Sequence, residues 1–489
     1  MAFLGAGHSG FSAANIHILK ESDVVDRRTR FFEELRGKQI WFAGVGVSNI
    51  GVVRMLARRG LSVTVCDKRT REQLGDTLCA ELEALGVSLR LGEGYLEEIH
   101  LADVFFRTPG MYYNLPALQQ YRTHGGVLTS EMEVFCALCP CPLFAVTGSD
   151  GKTTTSTLIA EMLRRQGGRV HLGGNIGRAL LPEIETIGEL DSAVVELSSF
   201  QLISMRPAPA VSVVTNVTPN HLDVHGTMEE YTAAKRNVFA HQDAFSSTVL
   251  GADNEITASF AEEVRGQCLL FSLEKPVENG AYYSAADGWI YTARCAQKPR
   301  RLLKASEIRI PGMHNVANYL AAICAVRGRV EEDIIREVAR EFGGVEHRIE
   351  FVRELDGVRW YNDSIATSPT RVIAGLRSFE QKIIQIAGGY DKKIPFAPMV
   401  PEVIGRVKTL ILCGDTADLI EAAVTSHPGY REGMPRILRA KSLPEAVELA
   451  REAAGEGDIV SLSPACAAFD RYPNFEVRGR HFKELVNGL

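Results

Sequence analysis

The run Phe144-Ala145-Val146-Thr147-Gly148-Ser149-Asp150-Gly151-Lys152-Thr153-Thr154-Thr155 takes an apolar strand directly into a Gly-Lys-Thr turn and then a helix. Strands and helices alternate from here on, as in an α/β protein. The turn aims backbone N–H groups and the positive end of the following helix at one spot, where a nucleotide phosphate would sit. Lys152 adds a mobile charge and Thr153 a hydroxyl suited to Mg²⁺, so use of ATP is the first expectation. Val146 stands where the commonest phosphate-loop pattern has its first glycine. An ordinary glycine turn with a surface lysine is the plainer alternative.

At 489 residues the chain exceeds one compact core and suggests about three domains. A hydrophobic share of 45%, a charged share of 23% and a net charge of −6 describe a globular protein with no general attraction to nucleic acid or anionic membrane. Small-molecule partners and a monomer are expected. The ten cysteines are scattered through mostly apolar surroundings, as reduced thiols would be. Cys136, Cys139 and Cys141 form the only cluster, but no His or Cys pair at metal spacing lies nearby, and Pro140 and Pro142 mark a linker. The N-terminus has neither a charged start nor a cleavage site, and no segment approaches about 18 uninterrupted apolar residues, so a cytoplasmic protein is expected. Residues 1–36 read as a helical N-terminal extension.

Gln39-Ile40-Trp41-Phe42-Ala43 runs into a glycine turn and the helical stretch beginning at Val52, in the manner of a Rossmann-like half. A second strand, Ser62 to Cys66, ends at Asp67-Lys68-Arg69, where an acidic residue often meets a ribose or base. The glycines do not fit G-x-G-x-x-G, so a UDP-sugar is at least as good a candidate as a dinucleotide. Asp103 to Arg107 form a further strand and lead into Thr108-Pro109-Gly110. The stretch Val194 to Leu202 reads as an apolar strand carrying one carboxylate, Glu196, which calls for a cation such as Mg²⁺. Val211 to Val217 lead to Asn220-His221-Leu222-Asp223, so His221 is either a metal-side ligand or a core histidine. After residue 345 strands and helices alternate again, giving a second Rossmann-like sheet.

Thr147 to Thr154, Glu196-Leu197-Ser198-Ser199-Phe200-Gln201-Leu202, Asn220 to Asp223 with His225, and Tyr231-Thr232-Ala233-Ala234-Lys235 together resemble the central domain of the Mur ligases. His314-Asn315-Val316-Ala317-Asn318, His347-Arg348-Ile349-Glu350 and Asn362-Asp363-Ser364 resemble later motifs of that family. Ser463 to Asp470 and Asn474 to Gly479 are most similar to the members that add D-glutamate. The resemblance implies an α/β protein of three domains. These are a Rossmann-like UDP-substrate domain at 37–140, a central ATP-binding domain of P-loop ATPase type, with a parallel sheet, at 141–344, and a Rossmann-like amino-acid-binding domain at 345–489.

It further implies ligation of D-glutamate to UDP-N-acetylmuramoyl-L-alanine, at the expense of ATP and through an acyl phosphate, in bacterial peptidoglycan precursor synthesis. Gly148, Ser149, Asp150, Gly151, Lys152, Thr153, Thr154, Asn315, Asn318, Arg348 and Asp363 would then bind ATP; Asn315 and Asn318 are one helical turn apart, so both amides can reach one adenine, unless they only cap the turn after Pro311-Gly312. Ser48, Asn49, Asp67, Lys68, Thr108, Gly110, Asn175 and His221 would meet the UDP substrate. Thr367, Lys392 and Phe475 would meet the amino acid, although Lys392 reads equally well as one of two solvated lysines with Lys393. Two Mg²⁺ ions are implied, held by Thr153, Glu196, His221 and Lys235, the last as a carbamate. Lys152, Glu196, His221 and Lys235 form the implied catalytic set; by pattern alone Lys235 would be an exposed helical lysine.

Ile365 stands where these members commonly have lysine and Ala468 where they commonly have serine, so two polar contacts to the amino acid are absent. Asp150 replaces the usual asparagine and Val224 a larger or basic residue, neither of them a predicted ligand. Two other readings stay open. One is a relative with another amino acid or a folate-like acceptor; the other is a nucleotide-binding protein without catalysis.

Overall fold

A computed structural model describes residues 21–219 and 222–489, with backbone alone at 21–26 and 222–223. It forms two compact units. The first takes in the described residues of Met1–Thr147, Gly168–Ser212 and Pro219–Ser246; the second takes in Gly148–Gly167, Val213–Thr218 and Ser247–Leu489.

In the first unit, strands β1 (Gln39–Ala43), β2 (Ser62–Asp67), β3 (Ser88–Leu91), β4 (Val104–Phe106) and β5 (Val127–Thr129) make a parallel sheet in the order β3-β2-β1-β4-β5. The order reverses at β1, so the turns after β1, β2 and β4 face the crevice where such sheets bind ligands. Ile40, Phe42, Val65, Phe105 and Phe106 are fully buried, and the Phe42 and Phe106 rings stack at 4.5 Å. Each such side chain contributes about 1.5–3 kcal/mol by leaving water. The helix Val47–Arg58 starts five residues before the predicted Val52, which places Ser48 and Asn49 in its first turn.

Strands β6 (Leu143–Thr147), β7 (Val170–Gly174) and β8 (Ser192–Glu196) also lie in this unit and are parallel, with β8 between its neighbours. The strand predicted to reach Leu202 stops at Glu196. Ser198 and Gln201 exchange side-chain and backbone hydrogen bonds as a capping box, and that local pairing starts the short helix Ser199–Leu202 instead. Of the N-terminal extension, the helix Glu21–Glu34 is described, and residues 1–20 lie outside the described residues. Arg28 of that helix donates to the carbonyls of Ile184 (2.7 Å) and Ile187 (3.2 Å).

The chain crosses between units within β9 (Val211–Val214). In the second unit β10 (Ser247–Gly251), β11 (Gln267–Ser272) and β12 (Gly280–Ser284) are parallel, and β13 (Trp289–Ala293) and β14 (Arg300–Lys304) continue antiparallel. The other sheet of this unit joins β15 (Glu350–Leu355), β16 (Val358–Asn362), β17 (Ile383–Ala387), β18 (Val407–Leu412), β19 (Arg436–Arg439) and β20 (Ile459–Leu462), in the order β15-β16-β20-β17-β18-β19. All of its pairs are parallel except the β15–β16 hairpin. Separate apolar cores surround Leu410 and Ile411, whose side chains point to opposite faces of β18. The α/β class with parallel sheets is therefore as the sequence implied. Among the described residues, no helix is long and apolar enough to cross a membrane.

Candidate functional site

The predicted site residues fall in both units. In the second unit, Gly151 caps the helix Lys152–Arg165 with φ 78°, a left-handed conformation that glycine adopts without strain. Asn216 and Thr215 hold the loop from one side: the Asn216 carbonyl accepts from Ser149 N–H (2.8 Å), its Oδ1 accepts from Asp150 N–H (3.0 Å), and the Thr215 hydroxyl donates to the Asp150 carbonyl (2.6 Å). Lys152 arches back so that Nζ donates to the carbonyls of Gly148 (3.0 Å) and Ser149 (2.8 Å). Thr153 and Thr154 are both buried in the first turn of the helix. Thus the loop is rigidly framed, and its ammonium lies over the turn where phosphate charge would be neutralised.

Asn315 and Asn318 lie on the helix Met313–Ala325 and are nearly buried. Asn318 Nδ2 donates to Asn315 Oδ1 (3.1 Å), Asn315 Nδ2 donates to the Pro311 carbonyl (2.6 Å), and Asn318 Oδ1 accepts from Thr155 (3.3 Å). The pair therefore ties the helix Lys152–Arg165, through Thr155, to the turn at Pro311.

Farther along the same unit, Arg348 lies between His347 (φ 64°) and Ile349 (φ 44°), both left-handed. Asp363 is buried beside it, accepting from Ser463 Oγ (2.9 Å) and Ile349 N–H (3.3 Å). Burial pushes the Asp363 carboxyl up to about 7 despite those hydrogen bonds and the charges of Arg348 and Arg371. Between about pH 4 and 7 the folded chain keeps a proton that the unfolded chain has released, so stability falls as pH rises through that window. Asp363→Asn, whose Oδ1 can still accept from Ile349 N–H while its Nδ2 donates to Ser463 Oγ instead of accepting from it, should raise stability by about 1–3 kcal/mol at pH 8 and by little near pH 4. Chemical unfolding at the two pH values measures this, and an equal change at both would contradict it.

The residues predicted to meet the amino acid also come together in part. Lys392 Nζ donates to the carbonyl and hydroxyl of Thr367, each at 3.2 Å, whereas Lys393 pairs with Asp391 at 2.9 Å. The structure thereby separates two lysines that the sequence left equivalent. Phe475 opens the helix Phe475–Gly488, and its carbonyl accepts from Ser364 Oγ (2.8 Å). Ile365 lies on the same stretch as Ser364 and Thr367, and Ala468 is buried.

Arg478, within the Asn474–Gly479 motif but without a role read from the sequence, ties these loops. It is buried, and its guanidinium donates to Ser364 Oγ (3.0 Å) and to the carbonyls of Ser364 (2.9 Å), Cys466 (3.1 Å) and Ala467 (3.2 Å). Burial lowers its pKa to about 10. It remains charged at neutral pH, as four charge-assisted bonds require.

In the first unit, Glu196 ends β8 almost fully buried, and its Oε1 accepts from Asn175 Nδ2 at 2.7 Å. Lys235 is 2% exposed on the helix Met228–Arg236, with Nζ 4.6 Å from the Tyr231 ring centre. Its burial sets aside the exposed-lysine alternative. His225 Nε2 lies 2.9 Å from Ser199 Oγ, and the His225 ring stacks on Phe200 and meets Tyr231 edge-on. His221 lies outside the described residues.

Among the residues predicted to meet the UDP substrate, Asn49 Nδ2 braces the glycine turn by donating to the carbonyls of Ala43 (2.8 Å) and Gly44 (3.2 Å). Asp67 is held by Arg69, whose Nε and Nη2 donate at 3.0 and 2.6 Å. Burial pushes the Asp67 carboxyl up, but Arg69 more than offsets this and holds it below its ordinary value. Ser48 and Thr108 are half-buried; Lys68 and Gly110 are exposed. Arg107, another residue without an assigned role, is 1% exposed, and its Nη2 donates to the Phe200 carbonyl (2.6 Å) and Ser204 Oγ (2.9 Å). It anchors the segment that leads into Thr108 and Gly110.

Family models for the Mur ligase MurD-like N-terminal domain, the Mur ligase middle domain and the Mur ligase glutamate ligase domain match residues 38–129, 146–326 and 347–466. The UDP-N-acetylmuramoylalanine-D-glutamate ligase of Acetivibrio thermocellus is 49% identical over 462 residues, covering 94% of this chain and 98% of that protein. The enzyme of the same name from Clostridium botulinum is 45% identical over 461 residues, covering 94% and 99%. UDP-N-acetylmuramate-alanine ligase MurC from Thermotoga maritima shares the fold at a TM-score of 0.54 and 18% identity, with 92% of this chain and 99% of that one covered. With similarity of this depth running through nearly its whole length, the chain belongs to the Mur ligase family.

Proposed function

We propose that this chain is an ATP-dependent ligase that joins D-glutamate to UDP-N-acetylmuramoyl-L-alanine, working as a cytoplasmic monomer in peptidoglycan precursor synthesis. The observation that carries the reading is the framed Gly148–Thr154 loop with Lys152 Nζ over its turn, in a chain 49% identical to a ligase so named. Residues 37–140 take the UDP substrate, 141–344 the ATP and 345–489 the amino acid.

Amide formation in water needs an activated carboxyl group. The alanyl carboxylate attacks the γ-phosphorus of ATP, ADP departs, and an acyl phosphate results. The amine of D-glutamate then attacks the carbonyl, and the tetrahedral intermediate collapses with loss of phosphate. Lys152 and the loop N–H groups neutralise phosphate charge, so catalysis here is chiefly alignment and electrostatics. Ser48, Asn49, Asp67, Lys68, Thr108, Gly110, Asn175 and His221 orient the UDP substrate. Asn315, Asn318, Arg348 and Asp363 serve ATP, and Thr367, Lys392 and Phe475 serve the amino acid.

Magnesium, as two ions, supplies further charge neutralisation when bound. The donor types suit a hard cation: Thr153 has a hydroxyl, Glu196 a buried carboxylate and Lys235 would be a carbamate. His221 completes this set.

Phosphate release with ATP, Mg²⁺ and UDP-N-acetylmuramoyl-L-alanine, measured against D-Glu, L-Glu, Gly and a diamino acid, tests the reading. Turnover with D-Glu alone is expected. Turnover only with another amino acid would reject the D-glutamate assignment, and no turnover with any would favour a non-catalytic nucleotide binder.

A further inference from the structure

The Cys136-Ala137-Leu138-Cys139-Pro140-Cys141 cluster has no part in the chemistry above. Cys139 follows the helix Glu131–Leu138, and Cys141 lies two residues before β6. Their Sγ atoms are 3.6 Å apart with no bond between them. Cys139 keeps part of its surface in solvent, while Cys141 is buried. This is the arrangement of an attacking thiol with a sheltered resolving thiol at its side.

The electrostatics divide the pair the same way. The hydrogen bond from Cys141 holds the Cys139 thiol below its ordinary value against the cost of burial, and Arg28 adds a favourable charge. That same hydrogen bond, together with burial, raises Cys141. Asp191, the other charged group near both, opposes ionisation of each.

We propose that Cys139 and Cys141 are a reversible modification site, oxidised to a disulfide by low-molecular-weight disulfides. The Cys139 thiolate attacks one sulfur of the small disulfide, forms a mixed disulfide and expels the first small thiolate. Cys141 loses its proton to solvent and attacks Cys139 sulfur, expelling the second. The protein loses two electrons and the small disulfide gains them, leaving two small thiols. Closure brings the sulfurs from 3.6 Å to about 2.05 Å, a short movement for side chains two residues apart in the chain.

The test incubates the full chain with an excess of oxidised glutathione, traps remaining thiols by alkylation, and reads intact and peptide masses. The expected product is a disulfide within residues 139–141, formed about fivefold faster than glutathione adds to the exposed Cys295. Cys141→Ser should stall as a glutathione adduct on Cys139, and Cys139→Ser should give no 139–141 product. Circular dichroism confirms that both variants are folded. A disulfide joining Cys136 to either thiol, or complete alkylation of Cys139 and Cys141 after Cys295 has reacted, would overturn the proposal.

Discussion

Lys235→Ala is expected to lower turnover by on the order of 10³, the rate equivalent of losing several kcal/mol of charge stabilisation. Lys235 is a buried lysine on a short helix, above the Tyr231 ring. As an ammonium it would repel a magnesium ion; as a carbamate it offers two anionic oxygens. The uncharged amine adds to carbon dioxide, a proton leaves, and the sign of the side chain is reversed. Removing the side chain opens a space that formate or acetate can enter, so small carboxylates should restore at least about tenfold of the lost rate. Full turnover of the variant without additives would exclude a carbamate role. Incorporation of labelled carbon dioxide into the wild-type chain, and not into the variant, gives an independent readout.

The second large effect is expected at Gly148, where any side chain meets rigid structure. Its φ of 148° lies in the region favouring glycine, and a Cβ there would collide with Thr215 Oγ1 and come within 3.2 Å of the Asn216 backbone nitrogen. Thr215 cannot yield freely, because it is β-branched and its hydroxyl donates to the Asp150 carbonyl. Gly148→Ala therefore displaces the bonds that frame the loop, and we expect kcat/KM for ATP to fall by about 100-fold, in line with misplacement of transition-state contacts by about 1 Å. Steady-state kinetics with varied ATP would show it; a change under about threefold would mean that the loop tolerates the side chain.

What was legible in the sequence was mostly local. The Gly148–Thr154 loop is contiguous, so its glycines, lysine and threonine stand out together even though Val146 holds the place of the commonest pattern's first glycine. Glu196 stood out because a carboxylate in an apolar stretch needs an explanation, although the capping box of Ser198 and Gln201 ended the strand earlier than its composition suggested. Lys235 was legible only through resemblance, since nothing in Tyr231 to Lys235 distinguishes a buried lysine from a solvated one. Arg107 and Arg478 carry no role in the sequence pattern for a different reason. Most of their acceptors are backbone carbonyls, such as Phe200 for Arg107 and Cys466 and Ala467 for Arg478, and every residue type has a carbonyl. Asn315 and Asn318 were found as a pair one helical turn apart, but their bonds to Pro311 and Thr155 depend on tertiary packing.

The guanidinium of Arg478 grips main chain far more than side chain, and this separates the frame of the amino-acid loops from their lining. Ile365 and Ala468 directly follow two of the gripped carbonyls, those of Ser364 and Ala467. Under the proposed function, selectivity among incoming amino acids would rest on side chains that such a frame leaves free to vary, Ile365 and Ala468 among them.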